Sequence, residues 1–382
     1  MTEITTEQFD PIDFLETAVQ HASNEDVEPM REYLCETIEA QGVSARVDDA
    51  GNVLATRGGD AASDEFGGGE GAHILLNTHI DTVSPHVPYE RDDEAGLIHG
   101  RGSCDAKGPL AALLSAFFAA DPRSNQRVTL AITPDEEVLS TGAYDLVARE
   151  DSPVDTADGV IVGEPTNLDV CTAAKGRFQG TVRLSGASAH AAQPESGTNA
   201  IAALESVLSA LSTFDERTDS PPAHDQLGSA TLTPTVVDGG ESTNQVPAEC
   251  VLTVDRRSVP PETTDQFRDA LMSHLRDAVP VDVGVEFRFT DRPTPFLEAW
   301  DTDPDAPVVE ALASASGGEI RPFTAATEAS YFAQNAPTVV FGPGVLADDE
   351  GAVAHSPQEY VRIEQVRRAA RALEKTLERL LA

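Results

Sequence analysis

Apolar residues fall along this chain in two textures, and the change between them marks its organisation. In the first texture they come as short unbroken runs: Ile74-Leu75-Leu76, Val128-Thr129-Leu130-Ala131-Ile132 and Gly159-Val160-Ile161-Val162. Runs of that length suit strands buried on both faces of a sheet, the habit of an α/β fold. Between the first two, residues 107–120 are almost wholly apolar and predict a buried helix, while Ser140-Thr141-Gly142-Ala143 opens another. Upstream, residues 13–41 carry helical spacing through Phe14, Leu15, Ala18, Val19, Met30, Leu34 and Ile38. Residues 43–54 read as two short extended pieces around the turn Asp49-Ala50-Gly51-Asn52, and residues 57–71 as a Gly- and Asp-rich surface loop.

From Lys175 the second texture begins. Val182 and Leu184 alternate with Thr181, Arg183 and Ser185, the pattern of a half-exposed strand. Further strands of this kind are expected at 230–237, 250–255 and 283–289, with helices at 199–211 and 263–278. Strand, helix, strand, strand, helix, strand is the plan of a ferredoxin-like α+β sandwich. The buried texture returns at Thr338-Val339-Val340-Phe341 and closes in a helix over 364–381. The expected organisation is therefore an α/β domain made of residues 1–174 and 292–382, interrupted by an inserted α+β domain at 175–291.

Composition narrows the function classes. The 382 residues suffice for two domains, and 40% hydrophobic content suffices for real cores. Nothing approaches a membrane span, and the N-terminal stretch is acidic where a signal peptide needs basic residues. A cytoplasmic protein that neither enters nor crosses a membrane is expected. Its four cysteines (Cys35, Cys104, Cys171, Cys250) are isolated and read as small buried residues rather than a disulfide framework. The charge is extreme: 65 acidic against 26 basic residues, a formal net charge of −39, with the acids spread through every segment. Such a surface repels itself in dilute buffer and is at ease where salt screens it, so a salty cytoplasm is expected. Nucleic acid is excluded as a partner, because binding it requires a basic footprint.

Chemistry gathers where the buried strands end. His79 and Asp81 follow the first run, one residue apart, so an extended exit points both side chains the same way. A carboxylate so placed can orient an imidazole whose other nitrogen binds a metal. Glu136 and Glu137 follow the second run, Glu164 the third and His355 the fourth, while Asp105 stands just ahead of the apolar helix. Any one of these acids, in so acidic a chain, reads as an ordinary solvated carboxylate. Their joint placement at strand ends is what that reading leaves unexplained, for this is where open α/β sheets keep their sites. Imidazoles with carboxylates are the donors of a borderline divalent ion such as zinc. Two histidines and three acids exceed the needs of one ion and fit two sharing a carboxylate. Because neighbours Glu136 and Glu137 point differently, one can ligate while the other serves as a general base.

These residues resemble a known family. The run Thr78-His79-Ile80-Asp81-Thr82-Val83, then Gly100-Arg101-Gly102-Ser103-Cys104-Asp105-Ala106-Lys107-Gly108, then Pro134-Asp135-Glu136-Glu137, Gly163-Glu164-Pro165-Thr166 and the late His355 resemble the co-catalytic zinc amidohydrolases. That family includes acetylornithine deacetylase, succinyl-diaminopimelate desuccinylase, aminoacylase and glutamate carboxypeptidase, and the match spans nearly the whole chain. The resemblance implies a zinc-peptidase-like catalytic domain with a central mixed sheet, plus an inserted lid and dimerisation domain through which a homodimer forms. It implies two Zn2+ per subunit, with Co2+ or Mn2+ as alternatives. His79 and Glu164 would hold one, Glu137 and His355 the other, and Asp105 would bridge them. Asp81 would support His79, and Glu136 would be the base. In the inserted domain, Ala189-His190-Ala191-Ala192-Gln193-Pro194 resembles the segment whose histidine polarises the substrate carbonyl, often from the partner subunit. Asn244 and Arg256 resemble the substrate-binding asparagine and arginine.

The implied activity is hydrolysis of an N-acylated amino acid in arginine or lysine biosynthesis. Thr327-Glu328-Ala329 and Phe341-Gly342-Pro343-Gly344 look more like acetylornithine deacetylase. Desuccinylases usually carry Ser-Asp-Gly-Arg there, although Arg256 or Arg257 could take a succinyl carboxylate. A carboxypeptidase or dipeptidase is the second enzyme reading. A non-catalytic binding protein on the same fold is the reading from another class, and the intact donor set with Glu136 argues against it.

Overall fold

The computed structural model describes residues 9–59 and 71–382. Residues 1–8 and most of the Gly- and Asp-rich loop expected at 57–71 therefore lie outside the described residues. The chain divides into two compact units. One comprises Met1–Ala173, Asp301–Phe323 and Thr327–Ala382, and the other Ala174–Trp300 with Thr324–Ala326.

The first unit begins with helices α1 (Pro11–Gln20) and α2 (Glu28–Ala40), where the apolar spacing predicted helix across the whole of 13–41. The interruption has a local cause. The His21 N–H closes back on the Ala18 carbonyl at 3.1 Å, and the Asp26 carboxylate then accepts from the Glu28 N–H at 3.0 Å to start a new helix. Pro29, which lacks an N–H, is tolerated only in such a first turn. Strands β1 (Ala45–Val47) and β2 (Val53–Gly58) flank the expected turn, followed by β3 (His73–His79), β4 (Glu90–Asp92) and β5 (Leu97–His99). Next come α3 (Lys107–Ala119), β6 (Arg127–Thr133), α4 (Thr141–Ala148), β7 (Gly159–Val162) and β8 (Val170–Ala174).

The second unit is built from β9 (Gly176–Ser185), β10 (Ala189–His190), α5 (Ala200–Ser212), β11 (Thr231–Gly239), β12 (Gln245–Val246), β13 (Glu249–Ser258), α6 (Thr264–Ala278) and β14 (Gly284–Phe289). Its four-stranded antiparallel sheet runs β11-β13-β9-β14, and its order of elements is the strand–helix–strand, strand–helix–strand plan. Alternation decides the packing of β13, where Cys250, Leu252 and Val254 face inward against Phe178, Phe267 and Leu271. Thr263 caps α6 by accepting from the Gln266 N–H, while the Gln266 side chain accepts from the Thr263 N–H.

The chain then returns to the first sheet through β15 (Trp300–Asp301), α7 (Pro307–Ser316), β16 (Ile320–Phe323), α8 (Ala329–Phe332) and β17 (Thr338–Val340). A small hairpin of β18 (Ala347–Asp348) and β19 (Gly351–Ala352) precedes β20 (Tyr360–Arg362) and the long α9 (Ile363–Leu380). The central sheet is mixed, in the order β1-β2-β6-β3-β7-β17-β8-β15 with β16 on β8. Strands β6, β3, β7 and β17 are parallel, and β1, β2 and β8 run against their neighbours. β3 is buried at all seven positions, as an unbroken apolar run requires. The core beneath it joins Leu110, Leu113, Phe117, Val366 and Leu373 to the sheet residues. No helix among the described residues is long and apolar enough to cross a membrane.

Candidate metal centre

Topology assembles the centre. Strands β6, β3 and β7 lie side by side and parallel, with Thr133 opposite His79 and Val162 opposite Asn77, so their C-terminal ends open on one mouth. β3 delivers His79 and Asp81 there, the loop after β6 delivers Glu136 and Glu137, and the exit of β7 delivers Glu164. Gly163 makes that exit possible. A Cβ on it would stand 2.8 Å from Leu113 Cδ1 and 3.1 Å from Pro109 Cβ of α3, so a larger residue there would crowd α3. Asp105 arrives from the loop before α3, and His355 from the loop before β20.

The donors converge. Single ligand atoms of His79, Asp105 and Glu137 lie within 4.8 Å of one another. Asp105 uses its two oxygens on two different histidines: Oδ1 stands 3.2 Å from His79 Nε2, and Oδ2 3.2 Å from His355 Nε2. His355 Nε2 is also 2.9 Å from Glu137 Oε1. Glu164 is buried at the edge of this group, and its Oε1 accepts from Thr327 Oγ1 at 3.1 Å. Asp81 stands behind the group. Its carboxylate and its carbonyl face His79 Nδ1 at 3.2 and 3.0 Å, and its two oxygens accept from the Glu136 and Glu137 N–H groups at 3.0 Å each. One carboxylate thus sets the direction of an imidazole and of both neighbouring glutamates.

The electrostatics of the centre call for positive charge. Burial alone would lower His79, but hydrogen bonding to Asp105 and Asp81 outweighs it and raises the ring well above its ordinary value. His355 is held up at about 10 by its hydrogen bonds to Asp105 and Glu137. Burial pushes Asp105 up, yet the bonds from His355 and His79 overcome it and hold the carboxyl far down. Burial raises Glu136 and Glu164 well above the carboxylate range, with the surrounding carboxylates adding to the shift. Carboxylates this crowded are relieved by protons or by cations among them. The donor types, two imidazoles and several carboxylates, suit one or two borderline divalent ions.

Two buried acids nearby had no role in the sequence reading, although it quoted Glu328 within Thr327-Glu328-Ala329. Glu328 is 1% exposed, accepts from Thr133 Oγ1 at 2.7 Å and is pushed up to about 7 by burial. Its signal was in plain view, a lone acid just ahead of the apolar α8. Glu359 is equally buried and accepts from the Cys104 and Asp105 N–H groups at 3.1 Å. Nothing in its local sequence separates it from dozens of surface glutamates.

The remaining candidates lie in the second unit. β10 pairs with β12 so that His190 sits opposite Gln245, and the Ala191 N–H donates to the Asn244 carbonyl at 2.9 Å. His190 and Asn244 thereby share one exposed corner. His190 Nδ1 accepts from the Ala192 N–H at 3.1 Å, which puts the proton of a neutral ring on Nε2, outward and free to donate. Arg256 does not fit the substrate-binding role expected of it. Alternation along β13 turns it inward, where it is 0% exposed and bonded at 2.8 Å to both Glu262 and Asp215. It is a core cation, its donors already taken. Its neighbour Arg257 faces outward, 42% exposed and paired with Asp255 at 2.7 Å.

Comparison with known proteins places these features in a wider group. Residues 75–379 match the model of peptidase family M20/M25/M40. A protein of Pyrobaculum aerophilum named for LysW-lysine/LysW-ornithine hydrolysis is 30% identical over 358 residues, covering 92% of each chain. An acetylornithine deacetylase of Myxococcus xanthus is 32% identical over 374 residues, covering 90% of each. Among solved structures, the aminopeptidase PepT of Bacillus cereus shares the fold with a TM-score of 0.73 at 18% identity, over 98% of this chain and 99% of that one.

Proposed function

The chain belongs to peptidase family M20/M25/M40, a family of hydrolases, and from that premise we propose that it cleaves the amide bond of an N-acylated basic amino acid such as N-acetyl-ornithine. The observation that carries the reading is Asp105, whose two oxygens each face a different histidine with Glu137 in the same group. A carboxylate in that posture suits a bridge between two ions, with His79 and Glu164 on one side and Glu137 and His355 on the other. Both relatives are named for substrates containing ornithine or lysine, and a site crowded with acids favours a cationic amine.

Bound there, divalent ions would supply an acidified water and a Lewis acid for the substrate carbonyl. Glu136 takes the proton from the attacking water and passes it to the leaving nitrogen, so that an amine rather than an amide anion departs. Asp81 keeps Glu136 and His79 in register for this. His190 donates from Nε2 to the carbonyl oxygen as negative charge develops on it. The outward-facing Arg257 binds the substrate carboxylate, while Asn244, beyond the opposite end of β13, serves another part of the substrate. The test is a hydrolysis panel of N-acetyl-ornithine, N-succinyl-diaminopimelate and simple dipeptides, run at molar salt with zinc, cobalt or manganese. N-acetyl-ornithine should be turned over fastest, and a preference for dipeptides would move the protein to the peptidase reading.

The second unit supports self-association. β11 is a sheet edge, and Val236 and Val237 on it are 61% and 57% exposed. Ile201 and Leu208 on α5, which packs beside β11, are 42% and 41% exposed and share one helix face. Two exposed valines on an edge strand of so acidic a chain offer a contact for a second copy. We expect a homodimer, and expect Val236→Asp with Val237→Asp to give a folded monomer by light scattering. A wild-type protein that elutes as a monomer at molar salt would remove this part of the reading.

The charge predicts salt dependence. Screening reaches about 3 Å in molar salt but about 30 Å at 0.01 M, so acid–acid repulsion spreads from near neighbours to the whole surface as salt is withdrawn. With a net charge of −39, the melting temperature and activity should fall steadily over that range. A melting temperature unchanged in dilute buffer would count against adaptation to salt.

A further inference from the structure

Asp105 and His355 reach the centre from loops on opposite sides of the second unit in the chain, and something must hold those loops together. Between them lies an ion pair buried on both sides: Arg101 Nη1 stands 2.6 Å from Glu359 Oε2, and each side chain is 1% exposed. Most contacts of the pair go to one loop or the other. Glu359 Oε1 accepts from the Cys104 and Asp105 N–H groups at 3.1 Å each, and the Gly100 N–H donates to the Glu359 carbonyl at 3.1 Å. Arg101 Nη2 donates to the His355 carbonyl at 3.3 Å, and its Nε donates to Pro85 at 3.2 Å. His355 has a φ of +65°, a left-handed conformation that a non-glycine residue keeps only when its surroundings impose it. The guanidinium on its carbonyl is one such constraint. β20, which starts at the next residue after Glu359, pairs with β5 through Tyr360 and His99 and carries the same connection into the backbone.

A buried ion pair is a poor device for stability alone, since desolvation cancels much of its attraction and apolar residues would fill the space as well. Its hydrogen bonds point to another use. We propose that Arg101 and Glu359 are positioning residues of the metal centre, a buried clasp that fixes the backbones of Asp105 and His355 so that their side chains meet on the same ions. This rests on the metal reading above. Neither residue touches the ions or the substrate; each acts through the ligand whose backbone it holds. A ligand freed from its support costs affinity for the ion, as loss of other groups behind metal ligands does.

The experiment uses the full-length protein, stripped of metal and titrated with zinc. Glu359→Asp keeps the charge that Arg101 needs but is one methylene too short to reach both N–H groups and the guanidinium. Glu359→Gln keeps the length and removes the charge. Leu373→Ala, a core cavity in α9 outside the centre, serves as a control for general destabilisation. Both Glu359 variants should bind zinc about tenfold to a hundredfold more weakly than wild type, the range typical of groups that support metal ligands. Excess zinc should restore kcat with KM little changed. Leu373→Ala should melt earlier by circular dichroism yet keep wild-type affinity. Wild-type zinc affinity in the Glu359 variants, or an equal loss in the control, would overturn the clasp while leaving the metal reading intact. A wild-type protein that takes up no zinc would overturn both. Arg101→Lys, which preserves the charge but not the fork to Glu359 and His355, gives the same comparison should the Glu359 variants fail to fold.

Discussion

Glu136→Gln is expected to lower turnover by about a hundredfold to ten-thousandfold, the range general-base catalysis contributes, while metal content stays at the wild-type level. The argument starts from Asp81. Its two oxygens grip the Glu136 and Glu137 N–H groups at equal distance, which fixes the backbone and lets the two side chains diverge. Glu137 joins the group of ligand atoms and reaches His355 Nε2 at 2.9 Å, and Glu136 does neither. An amide at position 136 keeps the shape and cannot take a proton. An amide at position 137 should instead weaken one ion, with activity partly recovered in added zinc. Metal counting and turnover on both variants decide between the roles. If Glu136→Gln loses an ion and Glu137→Gln keeps two, base and ligand have been assigned the wrong way round.

Removal of metal is expected to abolish hydrolysis and to lower the melting temperature of the same sample. Without cations, burial and the neighbouring carboxylates push Glu136 and Glu164 well up, while hydrogen bonds to the surrounding carboxylates hold protons on His79 and His355. An ion that binds the folded chain and not the unfolded one stabilises it by about 4 kcal/mol at a thousandfold its dissociation constant. Activity, metal content and thermal unfolding should therefore fall together on chelation and return together with zinc. Hydrolysis that survives thorough stripping would end the metal-dependent reading.

Much of this architecture could be read from the chain because period and burial agree in it. The unbroken runs at Ile74, Val128 and Gly159 became neighbouring parallel strands, and the acids and histidines after them came to one mouth. The alternating runs after Lys175 became an antiparallel sheet with two helices. What could not be read depends on facts outside any short window. Helical spacing continues through 13–41 because the same core receives both helices, and only Pro29 betrays the break. The α7 helix, with proline at its start and Gly317 in a left-handed cap, had the right punctuation but stood in a stretch the hydrophobic pattern passed over. Arg256 and Arg257 are indistinguishable by composition, and the face of β13 decides which is buried. Glu328 and Glu359 owe their importance to burial that only the tertiary structure creates.

The donors are divided in the chain by the whole of the second unit, and this orders events on the ribosome. His79, Asp105, Glu137 and Glu164 are synthesised first, and the whole of the second unit, Ala174–Trp300, must follow before His355 and Glu359 emerge. The nascent first unit can form β3, β6 and β7 but has neither β17 to extend the sheet nor the histidine that faces Asp105 Oδ2. A half-made chain therefore displays His79, Asp105 and Glu137 without the second histidine that faces Asp105. If His355 holds an ion as proposed, an interrupted translation product would be inert rather than an unregulated hydrolase.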